Sequence, residues 1–367
     1  MSQLSSDAMF DVAVVGGGPA GAATAIALRR ASLKVALIEG SSYQDVRAGE
    51  HLIAAAKPLL EQLGIGSDLW QQSLCAACPL VQSAWGDAKL QGRDAIFNAY
   101  GEDMLLTRPD FDRYLAAAAR SQGVALWQTT RPQSMAEADG GFDLALNHKG
   151  TTISLRSRLL VDATGRRAAV GRRLGARSLA WDRLIGIIGY GQARRAAEPA
   201  RHEVLVEAAP DGWWYSSRLR DGRLVTTYMT DADRLTGPPG AYLLQRLRQT
   251  EHTRQRVAVF GPLGEFHVRP ASSRRLDRIA GQGWLAVGDA AMSWDPLSSS
   301  GIYNGIDAGI NAADAIRRHL AGDRKALPRY AQQVEESFAD YLRTRVKYYR
   351  LEKRWPDAAF WQLRHAG

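Results

Sequence analysis

Two kinds of hydrophobic pattern divide this chain. Near its start, Phe10–Val15 and Val35–Ile38 are short unbroken apolar runs, the pattern of strands buried on both faces. Between them, Pro19–Arg30 predicts a helix that opens directly after Gly16-Gly17-Gly18. Leu159–Val161 and Trp284–Val287 repeat the buried-strand style, and each runs into an acid among small residues, Asp162 and Asp289. From Ala176 to Arg275 the texture changes: apolar and polar residues alternate over 185–193, 202–209, 212–220 and 223–231. A period of two predicts antiparallel strands. One helix-like stretch, 241–249, interrupts them before a strand near 265–269.

The rest follows the same logic. Leu59, Leu60, Leu63 and Ile65 mark one helical face, and Pro109-Asp110 opens another helix carrying Phe111, Tyr114 and Leu115. Short strands are expected over 81–90, 95–101, 124–127, 143–146 and 151–155. Residues 301–320 read as a helix. So do 328–362, where Tyr330, Val334, Phe338, Tyr341, Leu342 and Tyr349 share a face, a stripe that predicts core packing.

Composition adds little except in two places. With 367 residues, 46% hydrophobic and 23% charged, the chain is long enough for one large α/β unit or two domains. Ten tryptophans are many for such a chain. The net charge of +9 is uneven: from Arg317 onward 12 Lys/Arg face 6 Asp/Glu. A solvated basic helix explains that best, ahead of an acidic partner surface, and no nucleic-acid recognition module is found. Cys75 and Cys78 form a lone C-x-x-C without the second pair a zinc site needs, and read as two buried structural thiols. No metal site is expected. Neither a secretory leader nor a run of ~18 apolar residues is found, so the expectation is a soluble cytoplasmic protein with no membrane partner.

The chemistry begins at the first turn. Gly16, Gly18 and Gly21 stand in G-x-G-x-x-G register, and Glu39 follows 18 positions after the third glycine. Gly16 permits a tight turn, Gly18 leaves the backbone open to a pyrophosphate, and Gly21 lets helix and strand approach. The helix start presents free N–H groups to phosphates, and Glu39 can accept ribose hydroxyls. This predicts a dinucleotide on Gly16, Gly17, Gly18, Pro19, Ala20 and Gly21, within a Rossmann-like α/β unit.

The motifs GGGPAG, GEH, TRPDFDRYL, DATG and GDAAMSWDPLSSSGIYNGIDAG together resemble the FAD-dependent monooxygenase and halogenase superfamily over nearly the whole chain. The resemblance implies FAD. It implies that Arg108 reaches the pyrophosphate or ribityl chain, that Asp289 holds the ribityl or phosphate, and that Ser300, Gly301 and Ile302 approach the flavin ring. Arg47 is grouped with these cofactor-binding residues. Residues 1–75, 101–175 and 276–327 then form the FAD-binding domain. Residues 76–100 and 176–275 form an inserted antiparallel substrate sheet, and 328–367 a C-terminal helix with an aromatic tail.

Arg354-Trp355-Pro356-Asp357 with Phe360-Trp361, Ser83–Gly86 and Asp211–Ser216 resemble a narrower set. These are the flavoproteins that mature amine and amino-acid oxidases carrying a tryptophylquinone. That resemblance implies molecular oxygen as cosubstrate, a flavin C4a-hydroperoxide, and a protein substrate, a tryptophan of an oxidase precursor. A small-molecule aromatic hydroxylase, a halogenase and a non-enzymatic maturation chaperone are the alternatives. The halogenases resemble a W-x-W-x-I-P signature that this chain replaces with Trp213-Trp214-Tyr215-Ser216, and their lysine has no match in the contexts of Lys57 or Lys89.

Glu50, His51 and Asp295 are the candidate catalytic residues, beside the alternative readings of a satisfied loop histidine and a turn cap at Pro296. Trp213 and Tyr215 share one face of a strand and are the candidate substrate wall; ordinary sheet packing is the equal alternative. Electrons come from NAD(P)H or a separate flavin reductase, the latter preferred; the arginines Arg166, Arg167, Arg172 and Arg173 suit an anionic donor or an acidic protein.

Overall fold

The computed structural model describes residues 9–45, 47–66, 69, 74–94, 98–192 and 202–366. Residues 95–97 of one expected strand and residue 193 of another lie outside that set.

Strands β1 (Met9–Val15) and β2 (Val35–Ile38) pair in parallel around helix α1 (Pro19–Arg30), with the boundaries the pattern predicts except that β1 starts one residue earlier. They sit inside a sheet ordered 280–281, 284–286, 151–162, β1, β2 and 125–127. Neighbours and helices cover both faces, which is why these runs carry no polar alternation. Thr151–Asp162 is longer than expected because it serves two partners. Its wetter first half pairs with 141–148; its buried second half lies between β1 and Trp284–Ala286. Strand Thr130–Ala138 was not predicted; it forms the outer edge of that hairpin and is largely exposed, with no apolar period to read.

The second sheet has seven strands. Its order is 263–270, β3 (Leu184–Gly191), β6 (Leu224–Asp231), β5 (Gly212–Arg218), β4 (Glu203–Ala209), 80–84 and 91–94. All pairs are antiparallel except 80–84 with β4, which is parallel. In the middle of the sheet the polar positions are covered as well: every residue of β6 is buried. One face packs Trp214 and Tyr228 against Tyr242, Leu243 and Phe260 of helices Pro239–Leu247 and His252–Phe260. The other meets the tail and a cavity. The predicted single helix is thus two; the second spreads its apolar residues around its circumference and gives no stripe.

Helix α2 (Arg108–Ser121) starts at the Pro-Asp signal, and α3 (Gly301–Leu320) matches its predicted span. Helix α4 (Ala326–Leu351) buries Tyr330, Val334, Phe338, Tyr341 and Tyr349 as expected, with Leu342 only half-buried. Helix α5 (Ala359–Ala366) folds back on the second sheet and buries Phe360 and Trp361. The aromatic tail therefore docks on its own chain. Trp361 donates to the Ala209 carbonyl at 3.0 Å, and Arg364 pairs with Asp231 at 2.7 and 2.9 Å. Cys78 is buried and its thiol is pushed up to about 12 by that burial, whereas Cys75 is half-buried, not fully as expected; both are free. Among the described residues no helix is long and apolar enough to cross a membrane.

Candidate cofactor and active site

A cavity of about 850 Å3 runs between the two sheets, from the β1–α1 turn to the face of β5. The glycines of that turn separate into two kinds. A Cβ at Gly16, whose φ is +109°, would lie 2.1 Å from the Ala163 carbonyl oxygen, and one at Gly21 would lie 1.8 Å from the Gly16 carbonyl oxygen. The fold itself needs glycine at both. At Gly18 a Cβ would meet nothing within 4 Å, and Gly18, Pro19 and Ala20 line the cavity. The protein's own packing gives no reason for a glycine there; a group lying against that backbone does. Gly301, the first residue of α3, is equally open and lines the same cavity with Ile302, and no side chain caps that helix start. Ser300 closes the turn before it, its hydroxyl donating to the Ser298 carbonyl. These two open helix starts and the elongated cavity fit a dinucleotide whose phosphates and ring are far apart.

Charged groups gather around the first of them. Glu39 accepts from the Gly17 N–H at 2.7 Å and from the Ser41 N–H and hydroxyl at 2.8 and 2.5 Å. Arg47 reaches Glu39 at 3.3 Å and Asp112 at 2.7 Å. Arg108 donates to the Ala48 carbonyl at 2.6 Å and to Asp112 at 3.2 Å, and its buried Nε has no partner. Asp112 is wholly buried beneath both arginines. Sequence reading noted it only as part of a helix start; its i+4 spacing from Arg108 was the available signal. Asp289 also borders the cavity, half-exposed and 3.7 Å from Arg166, which is fixed by the Ser272 and Trp294 carbonyls.

The other end of the cavity is aromatic and polar. Trp213 and Tyr215 face it from β5, while Trp214 points the opposite way against Tyr228, as the period of two predicts. Glu50 lines the cavity, and burial raises its carboxyl above the ordinary range. It accepts from the Gly49 N–H at 3.1 Å. The Tyr215 hydroxyl is buried without a hydrogen-bond partner, and burial, then the charge at Glu50, holds it far above a normal phenol. His51 Nε2 lies 3.1 Å from Asp103, and its Nδ1 is buried without a partner. Burial pushes the Asp103 carboxyl up, but the His51 hydrogen bond and the Ala54 N–H outweigh it and hold it below its usual value. Asp103 was not foreseen, since its partner is 52 positions away. Asp295 has both oxygens engaged: one caps the Leu297 N–H at 3.0 Å, and the other accepts from the Tyr349 hydroxyl at 2.7 Å and Arg345 at 3.4 Å. Lys57 donates to the Tyr100 carbonyl, and no lysine is among the described residues lining the cavity.

This fold and site are those of an FAD-dependent oxidoreductase of the monooxygenase and halogenase type: the FAD binding domain family matches residues 9–340, and the chain belongs to it. Among its relatives, the putative FAD-dependent oxidoreductase LodB of Marinomonas mediterranea is 26% identical over 370 residues, spanning 97% of each chain. The solved peptidyl tryptophan dihydroxylase QhpG, essential for tryptophylquinone cofactor biogenesis, is 27% identical. It superposes with a TM-score of 0.81 over 98% of this chain and 79% of its own. The myxobacterial chondrochloren halogenase CndH shares the fold at 21% identity, with a TM-score of 0.86 over 97% of this chain and 86% of its own.

Proposed function

We propose that the chain is a monooxygenase that hydroxylates a tryptophan side chain of a partner protein, the precursor of a tryptophylquinone oxidase. One observation carries the reading. The cavity wall made by Trp213, Tyr215, Glu50 and His51 suits an electron-rich ring. It belongs to a chain that matches a peptidyl tryptophan dihydroxylase over 98% of its length. The lack of a lysine among the described lining residues favours oxygenation over halogenation.

In this reading the Gly16–Gly21 turn and the α1 dipole take the FAD pyrophosphate. Glu39 accepts from the adenosine ribose. Arg47 and Arg108, held by Asp112, steady the phosphates and ribityl chain, and Asp289 holds a ribityl hydroxyl. The N–H groups at Ser300, Gly301 and Ile302 face the ring. When bound, FAD supplies the redox and oxygen chemistry. The protein's share is to orient the acceptor and manage a proton. Residues 76–100 and 176–275 supply the substrate wall, with Trp213 and Tyr215 flanking the target indole. Asp103 keeps the proton of His51 on Nε2, which leaves the Nδ1 lone pair to take up the proton released as the hydroxylated ring regains aromaticity. Glu50, whose carboxyl burial raises above the ordinary range, lines the same region. Asp295, with both oxygens engaged, acts through the residues it holds. Electrons arrive through a separate flavin reductase.

Coexpression with a tryptophylquinone oxidase precursor tests the reading. The expected result is a mass gain of one or two oxygen atoms on a single tryptophan of the precursor. A precursor that binds the flavoprotein and gains no mass would sink it.

A further inference from the structure

Asp295 belongs to the turn that leads into α3, on the cofactor side; Trp213 belongs to β5, on the substrate side. Both line the cavity, and no hydrogen bond joins them directly. A single phenol, Tyr349 of α4, connects them. Trp213 Nε1 lies 3.0 Å from the Tyr349 hydroxyl, which lies 2.7 Å from the Asp295 carboxylate. The direction of the chain is fixed by chemistry. An indole N–H can only donate, so the Tyr349 oxygen accepts from it and the one phenol hydrogen goes to Asp295. Burial, then the Asp295 charge, holds the Tyr349 hydroxyl far above an ordinary phenol, so that hydrogen stays in place. The ring is fully buried against Trp85, Trp361 and Phe360, with centroids 5.6, 5.9 and 6.4 Å away. The two preceding turns of α4 grip the same loop. Arg345 reaches Asp295 at 3.4 Å and Asp182 at 3.0 Å. The Tyr341 oxygen accepts the Asp295 N–H at 2.7 Å, and its ring stacks on Trp294 at 4.8 Å and 6°.

We infer that Tyr349 is a positioning residue that couples the cofactor-side turn at Trp294–Ser300 to the substrate wall at Trp213. The last turns of α4, which do not line the cavity, thereby set the separation of its two ends. This inference goes beyond the proposed reaction and does not depend on which substrate is used.

The test uses the full chain loaded with FAD and no protein substrate, so its failure leaves the tryptophan reading standing. Tyr349→Phe keeps the packed ring and removes both hydrogen bonds. It should weaken FAD about threefold to tenfold, the scale of one ordinary hydrogen bond, because part of the loss of the bond to Asp295 falls on folding rather than on FAD. It should also alter the visible circular dichroism of the bound flavin. Unchanged FAD affinity and an unchanged flavin spectrum overturn the inference. A double-mutant cycle decides it more sharply. Asp295→Asn and Trp213→Phe, read by FAD titration, should be non-additive in the parent and additive in the Tyr349→Phe background. Should Tyr349→Phe fail to fold, the parent cycle alone decides, and additivity there overturns the coupling.

Discussion

Asp112 offers a perturbation for which two physical accounts predict opposite signs. It is wholly buried and binds Arg47 at 2.7 Å and Arg108 at 3.2 Å, the two arginines beside the first open helix start. Asp112→Asn keeps the shape and one acceptor oxygen but removes the charge. Breaking a fully buried pair costs about 3–5 kcal/mol. Here Arg47 is 26% and Arg108 13% exposed, and the amide oxygen still accepts, so a loss of about 1–3 kcal/mol is the better figure. Most of that falls on the direction of the guanidinium groups, because Arg108 retains the Ala48 carbonyl and Arg47 retains Ser41. If positioning governs, FAD binds roughly tenfold to 100-fold more weakly, since each tenfold change is about 1.4 kcal/mol. If net charge governs, removing a negative group beside an anionic pyrophosphate tightens binding. Titration of FAD-free protein by flavin fluorescence, at low and high salt, separates the two. Equal or tighter binding by Asp112→Asn, with the melting temperature lowered by only a few degrees, would refute the assignment of Asp112 as the anchor of both arginines.

The glycines of the first turn should fail in different ways. Gly16→Ala forces a methyl against the Ala163 carbonyl and lowers stability by about 1–3 kcal/mol in chemical denaturation. Gly18→Ala melts like the parent, and calorimetry finds its FAD affinity at least about tenfold weaker; loss of stability with intact affinity would reverse the roles. Glu50 has its folded pKa raised, so its contribution to stability is full below its unfolded pKa and is lost as pH rises through the raised value. Glu50→Gln removes that dependence, so the parent should melt progressively lower than the variant as pH climbs above the ordinary glutamate range. A difference that stays flat with pH contradicts the buried state of the carboxyl. Arg364→Ala strands the buried Asp231 carboxylate and removes a cation stacked 3.6 Å over Phe360. Urea unfolding should show a loss of about 3–5 kcal/mol, and a loss below about 1 kcal/mol would mean the tail is held mainly by its aromatic rings.

Which parts of this molecule could be read in the sequence follows from how local their causes are. The β1–α1–β2 unit is specified within Phe10–Glu39: apolar runs, a glycine turn and an acid lie in order, so the spans and the dinucleotide class of cofactor were legible. The start of α3 at Gly301 was legible for the same reason. Strand Thr130–Ala138 was not, because an outer strand with two mostly wet faces has no apolar period. The parallel pairing of 80–84 with β4 joins segments more than 100 positions apart, and nothing in either strand encodes that partner. Asp103 and Asp112 show the same limit at the site. A buried carboxylate looks like a surface one until its partner, 52 and 65 positions away, is brought to it.

The second sheet shows why alternation yields a face without saying what covers it. Trp213 and Tyr215 against Trp214 followed directly from the period of two. Helices 239–247 and 252–260 cover one side, while the cavity and the tail share the other. Once both faces are buried, hydrophobicity no longer distinguishes packing from substrate contact, and the decision passes to polar atoms. Trp214 Nε1 is buried with no partner, whereas Trp213 Nε1 is committed to Tyr349 and through it to Asp295. A buried donor is costly unless paired, so the pairing at Trp213 fixes that indole firmly where the cavity meets the tail. The aromatic stripe of α4 is therefore core along most of its length. Over its last three turns it also becomes part of the site's scaffold, because Tyr341, Arg345 and Tyr349 all hold Asp295 in the turn leading into α3.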